Sequence, residues 1–554
     1  MSNIHKDVAD NSRRLFLKAG VVTGATSLSA VALSACNPAM KDCPTTEVGE
    51  KGAKKWSWET VPAPIPESKI VKTIKSEIVV IGAGIAGLAA AARASELGGK
   101  VAVVEKHTDV RICGLMFGAT NSKLMQKNNI KCDKEQVVVD WLKTCGDRPQ
   151  EELVRLYVDR SPEVIDWLIE KAEGHGCPVH LYNGQYKGKN HFEHMGTHIF
   201  EYNFFPGQGI NHAPGWMLKM QCEEAKDVDF YFENHVEQLL KKDGKIIGCV
   251  AKTKEGYVKY LGSKGVLLAT GDISHDREML ECFAPVGLLP KKVIYPPKPL
   301  NTGDGHKMGF WVGAQPDLGD WPTMLHPLAY SWQQFGFIHV NTQGNRFMNE
   351  DTWIQAKSIK ILTQPGNKDY AFTVFDSNWK EQLARTIPVG GGQFWDGMER
   401  NITQEWTPDL DVKRLENDIE SGIAFKADTL EELADLIGVD KKIFSSTIKR
   451  YNELSDAGVD SDYGKNPIML NSIKEGPFYA TKHGPALLAV TGGLLVNNKI
   501  QVLDENHQPI PGLYAAGNVS GGRYGVDYPV TINGTSLMTA TMWGYIASET
   551  MLNA

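Results

Sequence analysis

The 554-residue sequence contains no Cys-x-x-Cys and no Cys-x-x-Cys-His. Its nine cysteines are scattered, so covalent c-type haem, a zinc site and a packed iron–sulfur motif are not expected; a disulfide pair stays compatible with them. Charge of one sign is also scarce. Lys and Arg number 59 against 66 Asp and Glu, a net charge of −7 with both signs interspersed. No nucleic-acid surface is predicted from such a pattern. No apolar run is long and strong enough to read as a membrane span. Only one complete Gly-x-Gly-x-x-Gly occurs.

That glycine run organises the chain. Ile78 to Ile81 is a continuous β-branched stretch, as a buried parallel strand requires. Gly82-x-Gly84-x-x-Gly87 follows, then the helix formers Ala89 to Ala92, then a second apolar strand, Val101 to Val104, ending in Glu105. Gly82 permits the tight turn, Gly84 lets a pyrophosphate approach the backbone, and Gly87 lets helix and strand pack closely. The helix N-terminus offers free N–H groups to phosphates. Glu105 stands where a carboxylate accepts bonds from a ribose hydroxyl. Strand, glycines, helix, strand and acid in this order predict a dinucleotide site.

Length alone predicts two or more domains. Residues 1–36 read as an export signal. Ser12-Arg13-Arg14-Leu15-Phe16-Leu17-Lys18 is a twin-arginine motif, followed by a weakly apolar stretch from Ala19 to Ala35. Leu33-Ser34-Ala35-Cys36 resembles a lipoprotein cleavage box with Cys36 as the lipidated residue. The expected location is the outer face of the cytoplasmic membrane, lipid-anchored. Residues 37–70 are polar and proline-bearing, and read as a linker. Further on, Asp140 to Lys171 has a helical pattern. His191 to Trp216 has no clear period and reads as a long loop near the site. Tyr231 to Val250 reads as strand, turn at Asp243-Gly244, strand. Lys264 to Gly271 is another buried strand ending in a glycine turn.

Four motifs in one order carry a family resemblance: the dinucleotide fingerprint, Val266-Leu-Leu-Ala-Thr-Gly271, Asn301-Thr-Gly-Asp-Gly305, and Ile510-Pro-Gly-Leu-Tyr-Ala-Ala-Gly-Asn518. The chain resembles the FAD-binding fumarate reductases, a family that also holds urocanate reductases and 3-ketosteroid dehydrogenases. The resemblance implies an α/β fold: a doubly wound, Rossmann-like FAD domain (71–318 and 477–554) interrupted by an α+β capping domain (319–476). The chain would rejoin the FAD domain at Pro477-Phe-Tyr-Ala. The cap segment holds Trp321, Trp332, Trp353, Trp379, Trp395 and Trp406, most of them expected to pack its core. The resemblance implies non-covalent FAD held by Gly82, Gly84, Ala86, Gly87, Glu105, Lys106, Gly118, Val236, Thr270, Gly271, Asp304, Gly517, Asn518, Ser536 and Leu537, and no metal. The helix that starts at Asn533-Gly-Thr-Ser536 would point at the flavin edge where charge develops on reduction.

The sequence departs from fumarate reductases at the substrate. His326, in Leu325-His326-Pro327, matches the first clamping histidine. Gly344-Asn-Arg-Phe-Met-Asn-Glu350 matches the next motif, but Ile354 stands where an arginine is expected. The proton-donating arginine follows a Phe-Asp pair; here Phe375-Asp376 leads to Lys380. Ala489 replaces the second histidine and Tyr528 the last arginine. Two guanidiniums that grip carboxylates bidentately are missing, so a C4 dicarboxylate is a poor substrate. Tyr528-Pro529 resembles instead the Tyr-Pro step of the ketosteroid enzymes.

The expectation is a small unsaturated substrate, an enone or an aromatic or apolar unsaturated acid, reduced by hydride from flavin N5. Tyr528, Lys380 and His326 are the candidate catalytic residues. A ketosteroid-type dehydrogenase using the same site stays open, as does a non-catalytic flavin-binding lipoprotein. Residues 37–70 leave little room for a haem or FMN domain, so a separate cytochrome or flavoprotein is expected to supply electrons.

Overall fold

The computed structural model describes residues 56–554 apart from 111–113, 115, 183–191, 202–203, 206–212, 295–299, 332, 334–335, 367 and 391–405. Arg13, Arg14, Cys36, Trp332 and Trp395, and with them the predicted export signal, lie outside the described residues.

Ile78–Ile81 is the buried end of a strand, Ile70–Ile81, whose first half is largely exposed. Val101–Val104 pairs with it in parallel on one side, Ile78 opposite Val101. Gly256–Leu268 pairs in parallel on the other, Val79 opposite Val266. Val228–Tyr231 and Pro509–Ala515 extend the parallel sheet outward. The fingerprint strand is therefore central and covered on both faces, which is why its run is apolar without alternation. The hairpin predicted around Asp243-Gly244 is present, His235–Lys242 against Lys245–Thr253, with both turn residues at positive φ. The fingerprint helix, Ile85–Glu96, packs on the last helix, Thr535–Leu552. They approach so closely that a Cβ on Gly544 would stand 2.1 Å from the Ala86 carbonyl oxygen.

A second sheet is antiparallel, in the order Ile338–Val340, Ala371–Phe375, Phe478–His483, Ala424–Ala427. Phe444, Ile448, Tyr451 and Leu433 cover it with a separate apolar cluster. A third, short sheet joins Lys292–Val293, Ala486–Val490 and Thr323–His326. The whole is mixed α/β, a parallel central sheet with antiparallel capping sheets.

Three expectations change. Pro477-Phe-Tyr-Ala is not the return to the nucleotide domain. Phe478–His483 is an inner strand of the cap sheet, pairing with Ala371–Phe375, and the chain rejoins the parallel sheet only with Gln501–Leu503 and Pro509–Ala515. Residues 56–69 do not behave as linker. Trp58 packs between Phe283 and Phe310, and its carbonyl accepts the Trp311 indole N–H at 2.8 Å. The predicted helix over 140–171 is two helices, Lys134–Thr144 and Glu151–Gly174. Gly146 and Asp147 break it at φ 62° and 55°. The break is used: the Gln150 N–H donates to the Gly522 carbonyl at 2.6 Å, fixing the glycine turn ahead of Tyr528.

Candidate active site

The fingerprint turn opens onto a long cleft with about 1690 Å³ of empty space, part of it open to solvent. At one end stand Gly82, Gly84, Glu105, Lys106 and Asn234 to Val236; at the other, Met324, His326, Ile354, Leu488, Ala489, Tyr528 and Val530.

The first end is built by the fingerprint. Gly82 turns at φ 104°, and a Cβ there would stand 2.4 Å from the Ala269 carbonyl oxygen. The helix Ile85–Glu96 has Gly84 as its N-cap and no side-chain cap, so its first-turn N–H groups are available at the cleft. Glu105 is buried. Its carboxylate accepts the Ala83 N–H at 2.8 Å and the His107 N–H at 2.9 Å. Two oxygens carry about four lone-pair sites, so capacity is left for hydroxyl donors. Lys106 Nζ is 2.9 Å from Asp304 Oδ2 and donates to Thr302. Burial alone would raise the Asp304 pKa, but His235 and Lys106 hold it well below the usual carboxylate range.

The second end is built by three elements tied together. Met324 and His326 are two apart on a strand and so share a face. Met324 pairs with Ala489 on the neighbouring strand. Ile354 opens the helix Ile354–Leu362. Gln355, next in sequence, accepts the Leu325 N–H at 2.6 Å and donates to Asp527 Oδ1 at 3.0 Å. One buried amide thus links the strand carrying His326 to the loop carrying Tyr528. The Tyr528 hydroxyl accepts from Thr535 Oγ1 at 3.0 Å and from the Ser536 N–H at 3.2 Å. It therefore sits on the N-terminus of the last helix, whose N-cap Gly534 has no side-chain cap. Burial pushes the Tyr528 pKa up, the neighbouring Tyr524 ring adds to it, and the phenol keeps its proton. Burial pushes His326 down to about 3, so at neutral pH it is an uncharged imidazole.

Lys106 is the lysine of the cleft lining, and no arginine lines it, among the described residues. Nor does any group of three His, Cys, Asp or Glu among those residues suit a metal ion.

A model of the FAD binding domain family, FAD_binding_2, matches residues 77–534. The chain belongs to this family. It is an FAD-dependent oxidoreductase. It is similar to the probable fumarate reductase Ifc3 of Shewanella frigidimarina, 26% identical over 90% of this chain and 78% of that protein. It is similar to the vinyl phenol reductase of Lactiplantibacillus plantarum, 26% identical over 83% of this chain and 92% of that one. Its fold matches the solved 3-ketosteroid-Δ4-(5α)-dehydrogenase of Rhodococcus jostii at a TM-score of 0.67, with 22% identity over 88% of this chain and 99% of that chain.

The residues present fit FAD. The uncapped helix start and the close-approach glycines suit its pyrophosphate, and Glu105 suits its ribose. Thr270 Oγ1 is a buried hydroxyl with no hydrogen-bond partner among the described residues, on the cleft wall, and a polar cofactor edge would satisfy it. Gly82, Gly84, Ala86, Glu105, Lys106, Val236, Thr270, Gly271, Asp304, Gly517, Asn518, Ser536 and Leu537 all line the cleft.

Gly87 and Gly118 are not part of the lining. Gly87 is a packing glycine, its Cβ position 2.0 Å from the Gly82 carbonyl oxygen; at Gly118 a Cβ would meet the Asn533 carbonyl oxygen at 2.6 Å. Lys380 is not in the cleft either. It is exposed on the helix Trp379–Thr386, over the Trp379 ring at 5.7 Å. Trp379 and Leu383, four apart, face the core and turn Lys380 outward. The position that the cleft holds is Ile354. Sequence reasoning missed Met324, Leu488, Val530 and Asp272. Met324 was legible from its two-residue spacing to His326. Asp272 was not: its carboxylate is joined to Val490 from a distant strand, and burial raises its pKa to about 6.

Buried neutral histidines set an acid limit. Burial lowers His198 and His306 to about 4, and His326 and His483 to about 3; His339 is lowered as well. In the unfolded chain histidines titrate near 6.5. Between those values the unfolded state binds protons that the folded state refuses, so stability falls as pH drops, by about 1.4 kcal/mol per unit for each such group. Asp272 and Asp317, raised to about 6 by burial, act with the opposite sign, as do Asp166, Asp418 and Asp527, also raised by burial; Asp304, Glu350 and Asp460, held low by neighbouring cations, act with the histidines. The melting temperature is expected to fall steadily as the pH drops below roughly 6.5. A level profile down to pH 5 would contradict the neutral, buried histidines.

Proposed function

We propose that the protein reduces an activated C=C bond in an apolar or aromatic substrate rather than in a C4 dicarboxylate. The observation that carries this is the far end of the cleft. Met324, Ile354, Leu488, Ala489 and Val530 line it, with His326 and Tyr528 beside them. Among the described residues, two carboxylates desolvated there would have no guanidinium of the lining to meet, at a cost on the order of several kcal/mol. The likeness to a vinyl phenol reductase supports an aromatic substrate.

FAD, when bound, supplies a hydride at N5. The chain supplies the rest. Apolar side chains hold the alkene and exclude water. Tyr528 receives two hydrogen bonds on its oxygen, which leaves its own proton to give to the substrate. That donor polarises a conjugated carbonyl or phenol and hands on a proton. Neutral His326 is the weaker acid candidate and serves to orient. The same groups serve the reverse reaction, and the potential of the electron partner sets the direction. That partner is proposed to be a separate cytochrome or flavoprotein. With reduced viologen as donor, purified holoprotein is expected to turn over apolar enones and vinyl arenes. Acid precipitation should release all of the flavin, which is proposed to be non-covalent. Turnover of none of these alkenes would sink the proposal.

Export by the twin-arginine route and anchoring through Cys36 are proposed from Arg13-Arg14 and Leu33-Ser34-Ala35-Cys36. Changing both arginines to lysine should leave folded protein in the cytoplasm, and Cys36→Ala should release it from membranes. A membrane-bound Cys36→Ala protein would refute the anchor.

A further inference from the structure

Arg523 is 1% exposed. Its sequence setting, Gly521-Gly522-Arg523-Tyr524-Gly525, gives no hint of that. The guanidinium donates from Nη1 to the Ser520 carbonyl and, at 3.1 Å, to Ser520 Oγ. From Nη2 it donates to Asn518 Oδ1 at 3.3 Å. It lies over the Tyr524 ring, 4.6 Å from the centroid, inside the roughly 6 Å reach of a cation–π contact. Its Nε is buried and has no acceptor among the described residues. Every acceptor it does have is neutral. Asp317 feels its charge but gives its oxygens to the N–H groups of Gly522 and Gly493, at 2.7 and 3.4 Å.

A buried cation without a bonded carboxylate is costly. Something else must make it favourable. The hydrogen bonds say where to look. Asn518 lines the cleft, and its Oδ1 accepts from Ser536 Oγ at 3.3 Å as well as from Arg523. The Ser536 N–H in turn donates to Tyr528 Oη. Arg523 is thus linked through Asn518 and Ser536 to the substrate end of the cleft. The fingerprint turn, where the pyrophosphate fits, is built by other residues.

We propose that Arg523 is a fixed positive charge that biases the bound FAD toward its electron-loaded state, acting through Asn518 and Ser536. Uptake of two electrons and one proton adds one negative charge at the ring end. A buried guanidinium close to that end stabilises the added charge in a medium that screens it little. The Gly-Gly turn, pinned by Asp317 and by Gln150, holds the guanidinium in place. The inference rests on FAD binding in this cleft with its ring toward Tyr528.

The test is the midpoint potential of the bound flavin, read by redox-dye titration of holoprotein for wild type, Arg523→Lys, Arg523→Met and Arg523→Gln. Removing the charge is expected to weaken the preference for the reduced cofactor at least tenfold, a drop of about 30 mV for a two-electron couple. Arg523→Lys should keep most of the wild-type potential. Met and Gln are read independently, so one variant that fails to fold leaves the other. An unchanged potential in either uncharged holoprotein overturns the proposal. So does an equal loss of affinity for oxidised and reduced FAD, which would make Arg523 a phosphate contact. Wild-type protein that binds no FAD would instead refute the cofactor assignment itself.

Discussion

Tyr528→Phe is expected to remove most of the turnover and leave FAD in place. The phenol oxygen is committed as an acceptor to Thr535 and Ser536, so its single proton is left for donation to a substrate. Hydride addition to a conjugated acceptor builds negative charge on the substrate oxygen. A donor there stabilises that charge more in the transition state than in the ground state, which is what accelerates a reaction. Losing one such donor costs roughly 3 kcal/mol, about a hundredfold or more in rate. Phenylalanine keeps the ring and its edge contact with Tyr524, 5.3 Å between centroids, so fold and cofactor should survive. Flavin content is read from the absorbance spectrum and turnover from a reduced-viologen assay. Normal flavin with a near-normal rate would reduce Tyr528 to a packing residue and move the question to His326→Gln.

Ile354→Arg is expected to be as damaging by a different route. Ile354 borders the substrate end at the first turn of its helix. A guanidinium there meets the apolar side chains of Met324, Leu488, Ala489 and Val530. Turnover of apolar alkenes should fall by more than about a hundredfold, equivalent to about 3 kcal/mol. Binding of simple unsaturated carboxylates should improve, since arginine grips a carboxylate bidentately. Unchanged rates with apolar alkenes would mean that Ile354 does not border the substrate.

The nucleotide half of the site was legible because its information is local. Strand, glycines, helix and acid lie within 28 residues, Ile78 to Glu105, and each glycine answers a steric demand of its own turn. The substrate half is assembled from distant segments. Met324, Ile354, Ala489 and Tyr528 meet only because strands pair across more than 150 residues of sequence, Met324 with Ala489. Of the residues that motif matching aligned with substrate positions, Ile354, Ala489 and Tyr528 line the cleft and Lys380 does not. A linear match carries no information about which face of a helix a side chain takes. The cap boundary failed for a related reason. Phe478–His483 reads as a strand from its residues, but its partner, Ala371–Phe375, is chosen by tertiary pairing. Arg523 lay in plain view inside a glycine run, and only the fold shows that it is buried.

The most direct test of the central claim is a single-turnover comparison. Holoprotein is reduced under anaerobic conditions and mixed separately with fumarate and with a vinyl phenol, and reoxidation is followed at the flavin absorbance. A cleft end made of Met324, Ile354, Leu488, Ala489 and Val530 predicts fast reoxidation by the vinyl phenol and negligible reoxidation by fumarate. Fast reoxidation by fumarate, with none by the vinyl phenol, would contradict it.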